Sequence, residues 1–293
     1  MKFELVEIVT KDKLVHQGIF HRPERVGKRA LLWVHGLTGR FYGDPKLMNM
    51  FAEMCDQYGM GFAAFNNRGH DMVSGLRRIN PRKESGYDRE TIGAAYENFE
   101  ESVFDIDASI EFLLHQGFDQ IILVGHSTGA NKVCYYAATK NDLRISGVVL
   151  AGPMSDRLSQ NTDKVNYEKN LLKARELVSA GRGDELLQGK HFFPITPKRI
   201  ISLLASNTKE DVFNYADTKN ILTTFSKIRK PLLMIFSGND EVADRPVETI
   251  KKAFDAYTKS FDYTSIIVPD ATHSFEGKET DFVEKVVSWA SSL

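Results

Sequence analysis

The chain has 293 residues, 42% hydrophobic and 26% charged, enough apolar material for one large domain or a domain carrying an insertion. Its 38 basic residues balance 39 acidic ones, a formal net charge of -1, which argues against nucleic acid as a partner. The two cysteines, Cys55 and Cys134, each sit in an apolar helical pattern and read as buried thiols rather than a disulfide or a metal pair. Residues 1–7 alternate charged and apolar side chains, unlike a signal peptide, and no apolar run is long enough to span a bilayer. The expectation is a cytoplasmic protein.

In chain order, residues 2–9 and 14–21 alternate apolar and polar positions about Thr10-Lys11-Asp12-Lys13 and predict a β-hairpin. A continuous apolar strand over 30–34 ends in the loop His35-Gly36-Leu37-Thr38-Gly39. Residues 45–58 predict an amphipathic helix, with Leu47, Met50, Phe51, Met54 and Cys55 on one face. A second buried strand, 61–65, ends in Asn66-Asn67-Arg68-Gly69-His70-Asp71, and the polar stretch 72–96 shows no regular pattern. Phe99, Val103, Ile106, Ile110, Leu113 and Leu114 then predict a helix over 97–116, closed by Gly117.

The centre of the chain is an apolar strand, 121–124, that stops at Gly125-His126-Ser127-Thr128-Gly129 and continues as a helix from 131. Strand, sharp turn and helix are the context of a nucleophile elbow, where Ser127 takes a strained backbone and both glycines avoid collision with neighbouring elements. A strand over 145–151 follows. Residues 154–228 are polar and helical in pattern, broken at Gly181, Gly183, Gly189, Pro194 and Pro197, and read as a helical cap or insertion. Within it, Phe192 and Phe193 either cover a substrate or pin the insertion down. The rhythm resumes with strands at 231–236 and 263–268 and helices at 246–258 and 279–291. This alternation predicts an α/β fold, a mostly parallel twisted sheet with helices on both faces. The core is expected at 1–153 and 229–293, and the cap at 154–228.

A serine hydroxyl needs a base, and the base an orienting group. Both belong at the carboxyl ends of later strands, where sites form in such sheets. Asp240, in the turn after 231–236, and His273, in the loop after 263–268, supply them in the order Ser127, Asp240, His273. These motifs resemble the α/β-hydrolase family over the chain from about residue 30 to its end: His35-Gly36 its oxyanion loop, 125–129 its elbow, 237–240 its acid turn and 271–275 its histidine loop. The resemblance implies a serine hydrolase with Ser127 as nucleophile, Asp240 as acid, His273 as base, and the backbone N–H groups of Leu37 and Thr128 as oxyanion donors. Ser237 stands where the family often has glycine, so a shifted alignment would promote Glu241 or Asp244 instead. Asn66-Asn67-Arg68-Gly69-His70 and Gly93-Ala94-Ala95-Tyr96-Glu97 are similar to a branch that includes fungal siderophore esterases.

Tyr42, beside Gly43, is a candidate for the substrate pocket. Arg68 and His70 end a strand near the site, with loop bonding and substrate contact both open. His126 is expected to pack, and His35 to shape its loop. The basic cluster Arg77, Arg78, Arg82 and Lys83 reads as a solvated loop, with an anionic-substrate role as the rival reading. No metal-ligand spacing, Walker loop or dinucleotide fingerprint is present, so neither metal nor cofactor is expected. The reading is a carboxylic ester hydrolase whose partner is a small-molecule ester. Thioester, lactone, amide and perhydrolase chemistry use the same triad, and a non-catalytic ligand-binding scaffold is the competing class.

Overall fold

A computed structural model describes residues 1–160 and 164–293. Among the described residues, ten strands form one sheet: β1 Glu4–Val9, β2 Leu14–His21, β3 Arg29–Val34, β4 Gly61–Phe65, β5 Ser74–Ile79, β6 Tyr87–Ile92, β7 Gln120–His126, β8 Ile145–Ala151, β9 Leu232–Ser237 and β10 Tyr263–Val268. The order is β10-β9-β8-β7-β3-β4-β2-β5-β6, with β1 beside β2. From β10 to β4 all pairs are parallel, and β1, β2, β5 and β6 add an antiparallel edge. Parallel strands are covered on both faces, so they read as unbroken apolar runs.

Successive β3 side chains face opposite layers, and this splits the core. Ala30, Leu32 and Val34 face a cluster with α2 (Ser102–His115), α3 (Thr128–Lys140) and α7 (Val247–Tyr257). Leu31 and Trp33 face α1 (Pro45–Gln57) and α8 (Glu279–Ser292). Cys55 and Cys134 are free and buried, one in each layer. The helix expected over 97–116 begins as a 3₁₀ turn, Phe99–Glu101, and is α-helical only from Ser102.

The stretch 72–96, which shows no pattern in sequence, forms the β5–β6 hairpin. Its strands sit at the sheet edge, where ladder bonds and ion pairs such as Arg78 to Glu90 at 2.9 Å replace an apolar face. Arg77 pairs with Glu7 at 2.5 Å, and Lys83 pairs with Asp88, so three of the basic side chains in this stretch hold the edge together.

Beyond β8 the chain builds α4 (Asp156–Gln160), α5 (Lys164–Ser179) and α6 (Pro197–Leu204). A separate small core of Leu171, Ala174, Phe193, Ile195, Ile200 and Leu203 joins α5 and α6 to Ala94 and Ala95. Phe193 is buried there, and Phe192 is 67% exposed. Further along, Val212, Phe213, Leu222 and Phe225 enter the main core, and Phe213 and Phe225 stack edge-on against Phe254. Residues 161–163 of the expected insertion lie outside the described residues. Among the described residues, no helix is long and apolar enough to cross a membrane.

Candidate active site

The turn between β7 and α3 carries Ser127 at φ 57°, ψ -130°, as the N-cap residue of α3. For a residue with a Cβ this backbone is strained, and it persists because the neighbours fix it. A Cβ on Gly125 would lie 2.4 Å from Gly129 O, and one on Gly129 only 2.1 Å from Val34 O. The elbow therefore fits between β3 and α3 only with glycine at both positions.

Two later strands deliver the partners. Asp240 follows β9 and His273 follows β10, and the two loops are joined by Gly238 N–H to Val268 O at 2.8 Å and Asn239 N–H to Ala271 O at 2.9 Å. Phe275, stacked on Phe282 at 4.1 Å, anchors the histidine loop to α8. His273 Nε2 lies 2.9 Å from Ser127 Oγ, and its Nδ1 lies 2.9 and 3.1 Å from the Asp240 carboxylate oxygens. The imidazole thus bridges a hydroxyl and a buried carboxylate. Nδ1–H donates to Asp240, which leaves Nε2 as the acceptor toward Ser127. Burial opposes charging of His273, but the Asp240 hydrogen bond and charge prevail, aided by Glu241, and raise its pKa above the ordinary imidazole value.

The alternatives for the acid occupy other posts. Glu241 accepts the His273 backbone N–H at 2.9 Å, and Asp244 accepts the Tyr215 hydroxyl at 2.7 Å. Ser237 is compatible with Asp240 because it is the last, regular residue of β9. The close approach falls at Gly238, whose Cβ would lie 3.0 Å from Val268 O.

The loop after β3 packs on the elbow: a Cβ on Gly36 would lie 2.8 Å from Ser127 Cβ and 3.2 Å from Thr128 N. Leu37 follows in this loop, and Thr128 is the first residue of α3, whose first N–H groups have no partner within the helix. His35 braces the loop, with Nδ1 donating to Gly36 O at 2.9 Å and Nε2 accepting Asn67 N–H at 3.2 Å. Burial, then the Lys132 charge, keeps His35 well below the ordinary imidazole range and therefore neutral. The His126 side chain stands beside the triad, with its ring 5.3 Å from the His273 ring, and lines the same cleft as Ser127. Its ring stacks on Trp33 at 5.9 Å, its Nε2 donates to His273 O at 2.8 Å, and burial lowers its pKa to about 4.

Ser127 and His273 open onto a cleft of about 410 Å³ walled by Trp33, Leu37, Leu47 and Met48, with Arg40 and Asp44 also lining it. Tyr42 lies outside this lining. It is half-exposed, and its hydroxyl donates to Asp71 at 3.2 Å. Arg68, for which loop bonding and substrate contact are both open in sequence, also lies outside this lining. Its guanidinium is 3% exposed, 2.8 Å from Asp105 Oδ1 and 3.3 Å from Asp12, with Glu101 as a third partner. His70 likewise serves its loop, through Asn67 O at 2.9 Å and Ser74 Oγ at 3.1 Å. Sequence reasoning missed Trp33 and Met48 as cleft walls, because apolar residues of a strand and a helix look alike whether they face core or cleft.

Sheet order, elbow and loop positions define a protein of the α/β-hydrolase fold. Solved structures share it over nearly their whole length. Siderophore hydrolase EstB from Aspergillus fumigatus is 16% identical, with 99% of this chain and 98% of that one covered and a TM-score of 0.67. Est1E from Butyrivibrio proteoclasticus, solved with ferulic acid bound, is 15% identical over 96% of each chain, with a TM-score of 0.63. The monoacylglycerol lipase of Paleococcus ferrophilus is 21% identical over 100% of this chain and 99% of that one, with a TM-score of 0.59. Residues 80–291 match a family described as "Protein of unknown function (DUF1749)", and the chain belongs to that family. No curated protein matches it in sequence.

Proposed function

We propose that the protein is a serine hydrolase that cleaves carboxylic esters through an acyl-enzyme. The observation that carries this reading is the unbroken hydrogen-bond line from Ser127 Oγ through the His273 ring to Asp240, with both links at 2.9 Å, on a strained elbow. His273 takes the Ser127 proton as Oγ attacks the ester carbonyl, and Asp240 holds the tautomer and stabilises the imidazolium that forms. The amides of Leu37 and Thr128 receive the developing oxyanion. His273 then protonates the leaving alcohol and activates the water that releases the acid.

Trp33, Leu37, Leu47 and Met48 give the cleft apolar walls, so an apolar group next to the ester is the substrate part that fits there. In this reading residues 154–228 are an insertion in a core made of 1–153 and 229–293, with α5 and α6 as its cap and 212–228 packed back into that core, and the working partner is a small ester with no cofactor. The siderophore hydrolase and the monoacylglycerol lipase among the named neighbours support it by analogy of fold. A p-nitrophenyl ester series of increasing acyl length, run on wild type and Ser127→Ala, tests it. Turnover is expected in wild type and absent from the variant. Equal turnover in both removes Ser127 from its role, and none in wild type across ester, thioester and lactone substrates favours a binding scaffold.

A further inference from the structure

Asn66-Asn67-Arg68-Gly69-His70 and Gly93-Ala94-Ala95-Tyr96-Glu97 stand outside the triad, yet they meet in one buried ionic chain. Lys132, on the helix that Ser127 caps, lies 2.6 Å from Glu97 Oε1, and both side chains are 0% exposed. Glu97 Oε2 lies 3.1 Å from the Arg199 guanidinium on α6, and Arg199 donates to Glu210 Oε1 at 2.8 Å. Gly69 makes room for this chain, since a Cβ there would lie 2.5 Å from the Glu97 carboxylate. Two cations and two anions are thus sealed from water in a neutral set. Pairing of buried ions often fails to repay their desolvation, so stability alone is a weak reason for the arrangement.

Its two ends supply another reason. On the elbow side, Lys132 Nζ donates to Asn67 Oδ1 at 3.0 Å, and Asn67 Nδ2 donates to His35 O at 3.3 Å. His35 in turn braces Gly36, next to Leu37. On the outer side, Arg199 donates to Ala94 O at 3.1 Å, and Thr196 Oγ1 donates to Ala95 O at 2.8 Å. An apolar link runs in parallel, because the Leu37 side chain packs on the cluster that α6 forms with Ala94 and Ala95.

We propose that Asn67, Lys132, Glu97 and Arg199 are positioning residues that fix the oxyanion loop against the elbow, with α6 as the outer anchor. The inference rests on the acyl-transfer reading above. These side chains touch no substrate. They set where the Leu37 amide stands relative to Ser127, a geometry in which a displacement of about 1 Å can cost on the order of a hundredfold in rate.

The test uses two variants of the full chain. Asn67→Asp keeps the acceptor for Lys132 and for Gly69 N–H but loses the donor to His35 O and adds a buried carboxylate beside Lys132. The double variant Glu97→Gln/Lys132→Met removes one ion of each sign, so no unpaired charge is left buried. Steady-state kinetics on the best p-nitrophenyl ester are read beside thermal melting. Expected for both are a kcat at least about tenfold lower and KM within about twofold in the folded protein, with a melting temperature close to wild type for the charge-balanced double variant. Wild-type kcat in a folded variant overturns the proposal, and so does a loss confined to KM. If the double variant does not fold, Asn67→Asp decides alone. A wild type that turns over no ester and takes no fluorophosphonate sinks the acyl-transfer reading itself, and this inference with it. An active wild type with unimpaired variants sinks only the positioning role.

Discussion

Asp240→Asn separates the acid from its neighbours without changing shape. The substituted amide still fits beside the imidazole, but the carboxylate that takes Nδ1–H at 2.9 and 3.1 Å is gone, and the Asp240 side chain is 0% exposed, so water does not replace it. An amide that turns its NH₂ toward Nδ1 selects the wrong imidazole tautomer. Loss of tautomer control and of imidazolium stabilisation together costs about 10⁴ in kcat, or about 5 kcal/mol of transition-state stabilisation. Glu241→Gln removes only the charge of a side chain that accepts the His273 N–H at 2.9 Å, and it is expected to cost no more than about tenfold. The pH profile gives a second reading. His273 works as a base only when neutral, so kcat/KM rises with pH through a pKa held above the ordinary imidazole value of about 6.5. In Asp240→Asn the burial that opposes protonation stays while the main raising interactions go, so residual activity should turn on at lower pH than in wild type. Equal losses in the two variants, or an unmoved inflection in Asp240→Asn, would refute the assignment of Asp240.

Other perturbations have equally definite outcomes. Arg68→Ala leaves the buried Asp105 carboxylate without its guanidinium, and should cost about 3–5 kcal/mol and melt about 10 °C lower, with KM unchanged in the folded fraction. Thermal melting and kinetics of that variant distinguish an ion pair from a substrate contact. Tyr42→Phe removes an exposed bond to Asp71 and should shift stability by less than about 1 kcal/mol, with no change in acyl-length preference. Gly129→Ala drives a methyl to 2.1 Å from Val34 O and should lower the melting temperature by about 10 °C or abolish soluble expression. Met48→Trp, which fills the cleft wall, should move the optimum of a p-nitrophenyl series toward shorter acyl groups while acetyl ester turnover holds.

The parts of the fold that read clearly in sequence are those built by burial. β3, β4, β7, β8 and β9 are unbroken apolar runs because both faces are covered, and the elbow glycines are fixed by backbone contacts too short for any side chain. Ser127 and Asp240 were legible because they follow two of these runs, β7 and β9, whereas His273 follows β10, a half-buried edge strand of mixed pattern. The β5–β6 hairpin was not, since edge strands held by Arg78–Glu90 and Lys83–Asp88 pairs resemble a charged loop. Arg68 sat at the right strand end but turns inward to Asp105, a partner far along the chain that no local pattern announces. The ionic chain from Asn67 to Glu210 was hidden for the same reason. Lys132 and Arg199 look like surface residues of two helices until the fold closes over them.

The most direct measurement is intact-protein mass spectrometry after treatment with a fluorophosphonate, with peptide mapping of the adduct. A single adduct on Ser127 is expected in wild type, with none in Ser127→Ala and slow labelling in His273→Ala, because only a hydroxyl bonded to the His273 ring at 2.9 Å is activated. A wild-type chain that stays unmodified, or an adduct on any other residue, would contradict the assignment of Ser127 as the nucleophile.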